Sequence, residues 1–129
     1  MTNMPRIMHV EDDEDIRHVS YLALSTVGGM EIVQFSSGAE AIAGVKKVSP
    51  DLFLLDVMMP GMSGEQTLRE LRKLPAFADT PAIFMTALSQ QSDMKRLFEL
   101  GALGVIQKPF EAATLAAQIT KIWSNRSGT

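Results

Sequence analysis

The chain has 129 residues, which fits one ordinary domain. It contains 12 Lys and Arg and 15 Asp and Glu, so its net charge is −3. This charge argues against a nucleic-acid-binding surface over the whole domain. The absence of cysteine excludes disulfides and thiolate metal sites. No apolar run approaches the ~20 residues of a membrane-spanning helix and the N-terminus lacks a secretory signal, so we expect one cytoplasmic domain over residues 1–129, without membrane insertion or direct nucleic-acid contact.

Apolar runs typical of strands alternate along the chain with segments of helical periodicity. In chain order, the predicted elements are a strand over 6–10, a helix over 13–27, a strand over 31–35, a helix over 37–48, a strand over 51–56, a helix over 63–74, a strand over 81–86, a helix over 89–100, a strand over 103–108 and a helix over 111–125. The last four residues, RSGT, are expected to be disordered. No linker or low-complexity segment indicates a second domain.

Local signals mark the ends of several predicted helices. Ser63 followed by Gln66 fits a capping box at the start of the third helix. Asp13 is well placed to cap the first helix, which Gly28 and Gly29 end. The apolar stripe predicted for this first helix consists of Ile16, Val19, Ala23 and Val27.

Five strands that alternate with five helices predict a parallel sheet covered by helices on both faces. The strands over 51–56 and 81–86 are nearly continuous apolar runs, as expected for central strands buried on both sides. The fold class is therefore α/β, with a doubly wound (βα)5 arrangement.

Polar residues follow several of these strands at the point where each strand ends. Glu11 and Asp12 come after the first strand, and Asp56, Thr86 and Lys108 end the third, fourth and fifth. The carboxyl ends of parallel strands meet at one edge, where ligands of such sheets bind. We therefore expect three carboxylates, a hydroxyl and an ammonium group to converge there.

This combination of groups predicts a particular chemistry. Clustered carboxylates repel one another unless a cation lies among them, and a hard divalent ion such as Mg²⁺ suits oxygen ligands. Mg²⁺, a lysine and a hydroxyl together stabilise a phosphoryl group during its transfer. An aspartate in such a site can act as nucleophile and form an acyl phosphate, and Asp56 is the candidate.

Several of these residues also have a purely structural interpretation. Glu14 and Asp15 fit a solvated helix start, where acidic side chains complement the helix dipole. Thr86 alone reads equally as an ordinary strand residue, and Lys108 as a surface lysine. His9 lies two residues before Glu11, but a packed histidine with a hydrogen-bond partner is favoured over a metal ligand.

The motifs VEDDEDIR, LLDVMMPGMSG, FMTAL and QKPF, in this order and spacing, make the chain similar to the response-regulator receiver domains of two-component signalling. The resemblance covers essentially the whole chain. It implies a flavodoxin-like five-stranded parallel sheet of strand order 2-1-3-4-5. It also implies a signalling switch rather than an enzyme.

The resemblance implies a role for each site residue. Asp56 would accept a phosphoryl group from a sensor histidine kinase, a phosphotransfer protein or a small phosphodonor. Mg²⁺ would be bound by Glu11, Asp12, Asp56 and the backbone carbonyl of Met58.

The resemblance also assigns the remaining residues of the site. Thr86 and Lys108 would bind the phosphoryl oxygens, and the peptide bond between Lys108 and Pro109 would be cis. A downstream protein partner would bind the face formed by the fourth helix, the fifth strand and the fifth helix.

Three positions depart from the family's pattern. Many receivers have an aromatic residue three positions before the lysine, whose ring turns inward on phosphorylation, but here Val105 occupies that position. The conformational change is then smaller, or it is carried by the loop after Thr86. Met58 and Leu88 are apolar where the family's residues border the path of the attacking water, so we expect slow loss of phosphate.

Other functions remain open. The chain fits either a complete single-domain regulator or a receiver excised from a larger regulator or hybrid kinase. A Mg²⁺-dependent phosphohydrolase would also use an aspartyl phosphate, but it usually has a second acid where Met58 lies. A pseudo-receiver acting only as a scaffold is disfavoured by the intact acids, threonine and lysine.

Overall fold

The computed structural model describes residues 4–126 and contains a five-stranded parallel sheet of order β2-β1-β3-β4-β5. The predicted strand order is confirmed. The strands are β1 (Arg6–Val10), β2 (Glu31–Phe35), β3 (Leu52–Asp56), β4 (Ala82–Thr86) and β5 (Gly104–Gln107).

Helices connect the strands and cover both faces of the sheet. They are α1 (Glu14–Tyr21), a π-helical segment (Leu22–Val27), α2 (Gly38–Val48), α3 (Gly64–Arg72), a short 3-10 helix (Pro75–Phe77), α4 (Gln91–Glu99) and α5 (Ala112–Ser124). One apolar layer joins the π-helical segment and α5 to the sheet, and the other joins α2, α3 and α4 to it. Within residues 4–126, no helix has the length and hydrophobicity needed to cross a membrane.

The side chains that begin the helices act as the sequence predicts. The Oδ1 atom of Asp13 accepts a hydrogen bond from the backbone N–H of Ile16 at 2.9 Å, which caps α1. Ser63 and Gln66 form the predicted capping box at α3, with each side chain accepting from the other residue's backbone N–H. These bonds fix where α1 and α3 begin, and both helices begin beside the same edge of the sheet.

The apolar stripe predicted for the first helix is wrong in part. Val19 and Val27 are 41% and 70% exposed, whereas Ser20, Ala23 and Leu24 are buried. For Val27 the reason is the π-helical segment, in which the N–H of Gly28 bonds the carbonyl of Ala23, five residues earlier. The wider turn rotates the following residues away from the positions that an α-helix would give them.

The centre of the core is formed by two strands that are buried along their whole length. Every residue of β3 and β4 is buried, including the polar residues Asp56 and Thr86 at their ends.

At the far end of α5, Trp123 is 9% exposed and the guanidinium of Arg126 lies 3.7 Å from its ring centroid. The remaining residues of the predicted disordered tail, 127–129, lie outside the described part of the chain.

Candidate functional site

The carboxyl edge of the sheet brings the predicted polar residues together. Asp56 and Thr86 are the last residues of the neighbouring strands β3 and β4, and Glu11 and Lys108 directly follow β1 and β5. The backbone continues the sheet past its ends, since the N–H of Glu11 bonds the carbonyl of Phe35 and that of Lys108 bonds the carbonyl of Thr86. The side chains therefore project from a fixed main chain.

Lys108 bridges two buried carboxylates. Its Nζ atom donates to Oε1 of Glu11 at 2.8 Å and to Oδ1 of Asp56 at 3.0 Å. Glu11 is 1% exposed and Asp56 4% exposed, so water screens these contacts poorly. The structure thus joins three of the predicted site residues directly.

Asp12 completes an acidic cluster with Glu11 and Asp56. Each of the three offers a carboxylate oxygen, and these oxygens lie within 4.8 Å of one another. Asp12 is exposed, which places it at the solvent side of the cluster. When all three are ionised, three carboxylates and the single ammonium of Lys108 leave two negative charges uncompensated.

The pKa values of the site follow from burial and from this charge balance. Burial raises the pKa of Glu11 to about 7, with a bond from Lys108 opposing the rise and the charge of Asp56 adding to it. Burial likewise raises the pKa of Asp56, again opposed by Lys108. Burial lowers the pKa of Lys108, but the bonds to Glu11 and Asp56 outweigh it and raise the value overall.

The donor set fits a hard divalent cation. Carboxylate oxygens are the ligands that Mg²⁺ prefers, and the cluster's uncompensated charge of two matches the charge of the ion. Among residues 4–126, the bond we find from a backbone N–H to an acid of this cluster is the one that Oε2 of Glu11 accepts from Asp13 at 3.2 Å. Most carboxylate lone pairs of the cluster are therefore available to a metal.

Thr86 lies at the same edge of the sheet, and its hydroxyl is hydrogen-bonded to the loop that follows it. Its Oγ1 atom accepts a hydrogen bond from the backbone N–H of Leu88 at 3.0 Å. In the next loop, the peptide bond between Lys108 and Pro109 is cis, as the family resemblance implies.

The segment after Asp56 contains an exposed side chain, that of Met58, and a close backbone contact at Gly64. Met58 has a side chain that is 66% exposed, and together with Leu88 it lines a surface groove of about 480 Å³. The N–H of Gly64 bonds the carbonyl of Val57 at 2.9 Å, and a Cβ atom at Gly64 would lie 2.2 Å from the carbonyl oxygen of Asp56. Only glycine permits α3 to begin this close to the phosphoacceptor candidate.

His9 is a packed histidine, as the sequence favours, and does not belong to the acidic cluster. It is fully buried, and its Nδ1 atom accepts from Nε2 of Gln34 at 3.1 Å. Burial, with a smaller contribution from the charges of Lys108 and Arg17, lowers the pKa of His9 to about 3. The ring is therefore neutral.

Two residues near the site were not found from the sequence. Gly64 is part of the motif LLDVMMPGMSG, but its close approach to Asp56 depends on the angle at which α3 leaves the loop. Arg17 donates from Nη1 to the carbonyls of Glu11 and Asp12 at 2.8 and 3.0 Å. Its place four residues after Asp13 in a helix is the only signal that could have suggested this contact.

Comparisons with known proteins agree with this geometry. A family model described as "Response regulator receiver domain" matches residues 7–120. "Probable transcriptional regulator ycf27" of Porphyridium aerugineum is 37% identical over 117 residues, which cover 91% of this chain and 47% of that protein. "Phosphate regulon transcriptional regulatory protein PhoB" of Escherichia coli is 34% identical over 117 residues, covering 91% of this chain and 51% of that protein.

Solved structures give the same result. Chemotaxis protein CheY4 of Vibrio cholerae superimposes with a TM-score of 0.84 at 27% identity, covering 93% of this chain and 99% of that chain. In contrast, the chain spans only about half the length of the curated relatives it matches.

Proposed function

Because this chain belongs to the response regulator receiver domain family, we propose that it is a switch phosphorylated on Asp56 in two-component signalling. The observation that carries the proposal is the contact of Lys108 with Asp56 inside a cluster of three carboxylates. We further propose that residues 1–129 form one receiver domain. The donor would be the phosphohistidine of a sensor histidine kinase or a phosphotransfer protein.

In this proposal, Glu11, Asp12, Asp56 and the backbone carbonyl of Met58 hold Mg²⁺. The ion supplies positive charge against the oxygens of the transferring phosphoryl group. An Oδ atom of Asp56 forms a bond to phosphorus as the bond from phosphorus to the donor nitrogen breaks, and the electron pair of that bond stays on the imidazole. The product is an acyl phosphate on Asp56.

Lys108 and Thr86 act on the phosphoryl oxygens. The ammonium of Lys108 already bonds Asp56 and needs only to exchange a carboxylate for a phosphoryl oxygen. The hydroxyl of Thr86 accepts from the backbone N–H of Leu88 in this structure, and a turn of this side chain toward the phosphoryl group would break that bond. Phosphorylation is therefore coupled to the loop over residues 87–90.

This coupling supports a switch that does not need an aromatic residue at position 105. The carbonyl of Leu88 accepts from Nε2 of Gln107 on β5 at 3.0 Å, so the loop joins the end of β4 to β5. When Thr86 turns to the phosphoryl group, this connection loosens beside α4. The face formed by α4, β5 and α5 would then bind or release a protein partner.

The related proteins limit how far this proposal extends. PhoB is named a transcriptional regulatory protein and is about twice the length of the matched region. We propose that this chain acts through a protein partner and does not itself contact nucleic acid. The same phosphorylation would operate whether the domain works alone or within a larger regulator.

The test is the intact mass of the protein after incubation with Mg²⁺ and acetyl phosphate. We expect the wild type to gain one phosphoryl group and Asp56→Asn to gain none. Asp51→Asn is the matched control, since Asp51 is an exposed aspartate at the opposite end of β3 that bonds the N–H of Arg6. Equal labelling of wild type and Asp56→Asn would refute the assignment.

A further inference from the structure

Arg17 forms a clamp on the loop between β1 and α1. Its Nη1 atom donates to two consecutive carbonyls, those of Glu11 at 2.8 Å and Asp12 at 3.0 Å. The residue lies on α1, so the side chain reaches back across the first turn of the helix to the end of the strand. A charged donor that bonds two adjacent carbonyls restricts the main-chain orientation of both residues.

The clamp matters most for Asp12. Glu11 is also held by the bond from its N–H to Phe35 and by its own side-chain partners. Within residues 4–126, the bond that we find on Asp12 is the one that its carbonyl accepts from Arg17. The direction in which the exposed Asp12 carboxylate points therefore depends on Arg17.

The main chain of Arg17 is itself anchored to the sheet. Nε2 of Gln34 on β2 donates to the carbonyl of Arg17 at 2.7 Å and to Nδ1 of His9 on β1 at 3.1 Å. Both amide protons of Gln34 are thus used, and His9 is neutral and fully buried. This network fixes the base of the Arg17 side chain relative to β1, the strand that Glu11 directly follows.

We propose that Arg17 is a positioning residue for the cation site, which holds Asp12 and Glu11 in the orientation that binds Mg²⁺. This inference rests on the proposed function, since it assigns the same three carboxylates to Mg²⁺. A competing account is purely electrostatic. The positive charge of Arg17 lies near the cluster, and its removal alone would make Mg²⁺ bind more tightly. The two accounts therefore predict opposite signs for the same substitution.

The chain offers a matched control at the other end of β1. Arg6 also bonds a backbone carbonyl, with Nη1 donating to Val48 at 3.0 Å, and it pairs with Glu31 at 2.9 Å. Like Arg17, it ties the strand to a neighbouring element. It lies at the amino end of β1, away from the carboxyl edge where the cluster forms.

The experiment measures the Mg²⁺ dissociation constant by NMR titration, together with the thermal unfolding midpoint without metal, for wild type, Arg17→Ala, Arg17→Lys and Arg6→Ala. We expect Arg17→Ala to weaken Mg²⁺ binding about tenfold, the scale observed when groups that orient metal ligands are removed. Arg17→Lys, which keeps one cationic donor, should recover part of the affinity. Arg6→Ala should lower the midpoint and leave the affinity unchanged.

A second readout separates positioning from a loss of fold. Acetyl phosphate labelling of Arg17→Ala at increasing Mg²⁺ should show a raised half-saturating concentration and a maximal rate near that of wild type. Unchanged or tighter Mg²⁺ binding by Arg17→Ala, with or without a lower midpoint, would overturn the inference. If Arg17→Ala does not fold, equal affinity of Arg17→Lys and wild type would overturn it. A wild type that binds no Mg²⁺ would instead overturn the proposed function, and the inference with it.

Discussion

Lowering the pH from 8 to 6 should weaken Mg²⁺ binding about tenfold. Burial raises the pKa of Glu11 to about 7, so the ionised fraction of this carboxyl falls from about 0.9 to about 0.1 over that range. Mg²⁺ binds the carboxylate form and must displace the proton. A tenfold loss of the binding-competent form corresponds to about 1.4 kcal/mol of binding free energy.

The raised pKa of Glu11 also affects the stability of the protein without metal, which should decrease as the pH rises. The pKa of Glu11 is about 7 in the folded state against 4.5 as its ordinary value, so the folded state holds this proton more tightly. The free energy of unfolding should therefore be largest below pH 4.5 as far as this group is concerned, and should fall as the pH rises through 7. The pKa of Asp56 is raised for the same reason and acts in the same direction.

The assay is calorimetric titration of Mg²⁺ at pH 6, 7 and 8, at constant ionic strength and in two buffers of different ionisation enthalpy. At pH 7, binding should release about half a proton, since that is the protonated fraction of Glu11 when pH equals pKa. Glu11→Gln is the control, and it should bind weakly with little dependence on pH. A flat affinity between pH 6 and 8 without proton release would show that the charge of Glu11 does not control the site.

Two further predictions concern Asp56 and the groove beside it. Asp56→Asn should raise the free energy of unfolding of the metal-free protein at pH 8 by roughly 1–3 kcal/mol, because a buried amide needs no counter-charge. Urea titration measures this free energy, and a destabilised variant would contradict the prediction. Met58→Asn combined with Leu88→Glu should speed loss of phosphate about tenfold, a barrier change of about 1.4 kcal/mol, because polar groups in that groove can orient water. The decay rate after removal of the donor, with excess Mg²⁺, measures this, and equal decay in wild type would place the control of lifetime elsewhere.

The sequence predicted the five strands and the convergence of polar residues at one edge because the relevant signals are local, whereas the strand order followed only from the resemblance to receiver domains. Each strand is an apolar run followed by its polar residue, and parallel strands bring those residues to one edge without further information. The caps at Asp13 and Ser63 were also readable, since each depends on residues within one turn.

The remaining features could not be read from the sequence because they depend on how elements pack. The π-helical segment over Leu22–Val27 has no composition that distinguishes it from an α-helix, and it exposes Val27, which periodicity placed in the core stripe. The contact of Arg17 with Glu11 and Asp12 requires the helix to leave the strand at one particular angle. The bond from Leu88 to Thr86 likewise depends on the path of a loop.

Charge balance connects these observations to a switching mechanism. Without metal, the ionised cluster of Glu11, Asp12, Asp56 and Lys108 carries two uncompensated negative charges, which a bound Mg²⁺ would reduce to zero. In the proposed mechanism, phosphorylation would replace the single charge of Asp56 with about two on the phosphoryl group, so the site would again become negative by about one charge. That added charge would lie farther from the backbone than the original carboxylate. The energetically favourable response is to bring donors to it. Lys108 is already in place, whereas Thr86 still accepts from the N–H of Leu88, so we expect the loop before α4 to be the segment that reports phosphorylation.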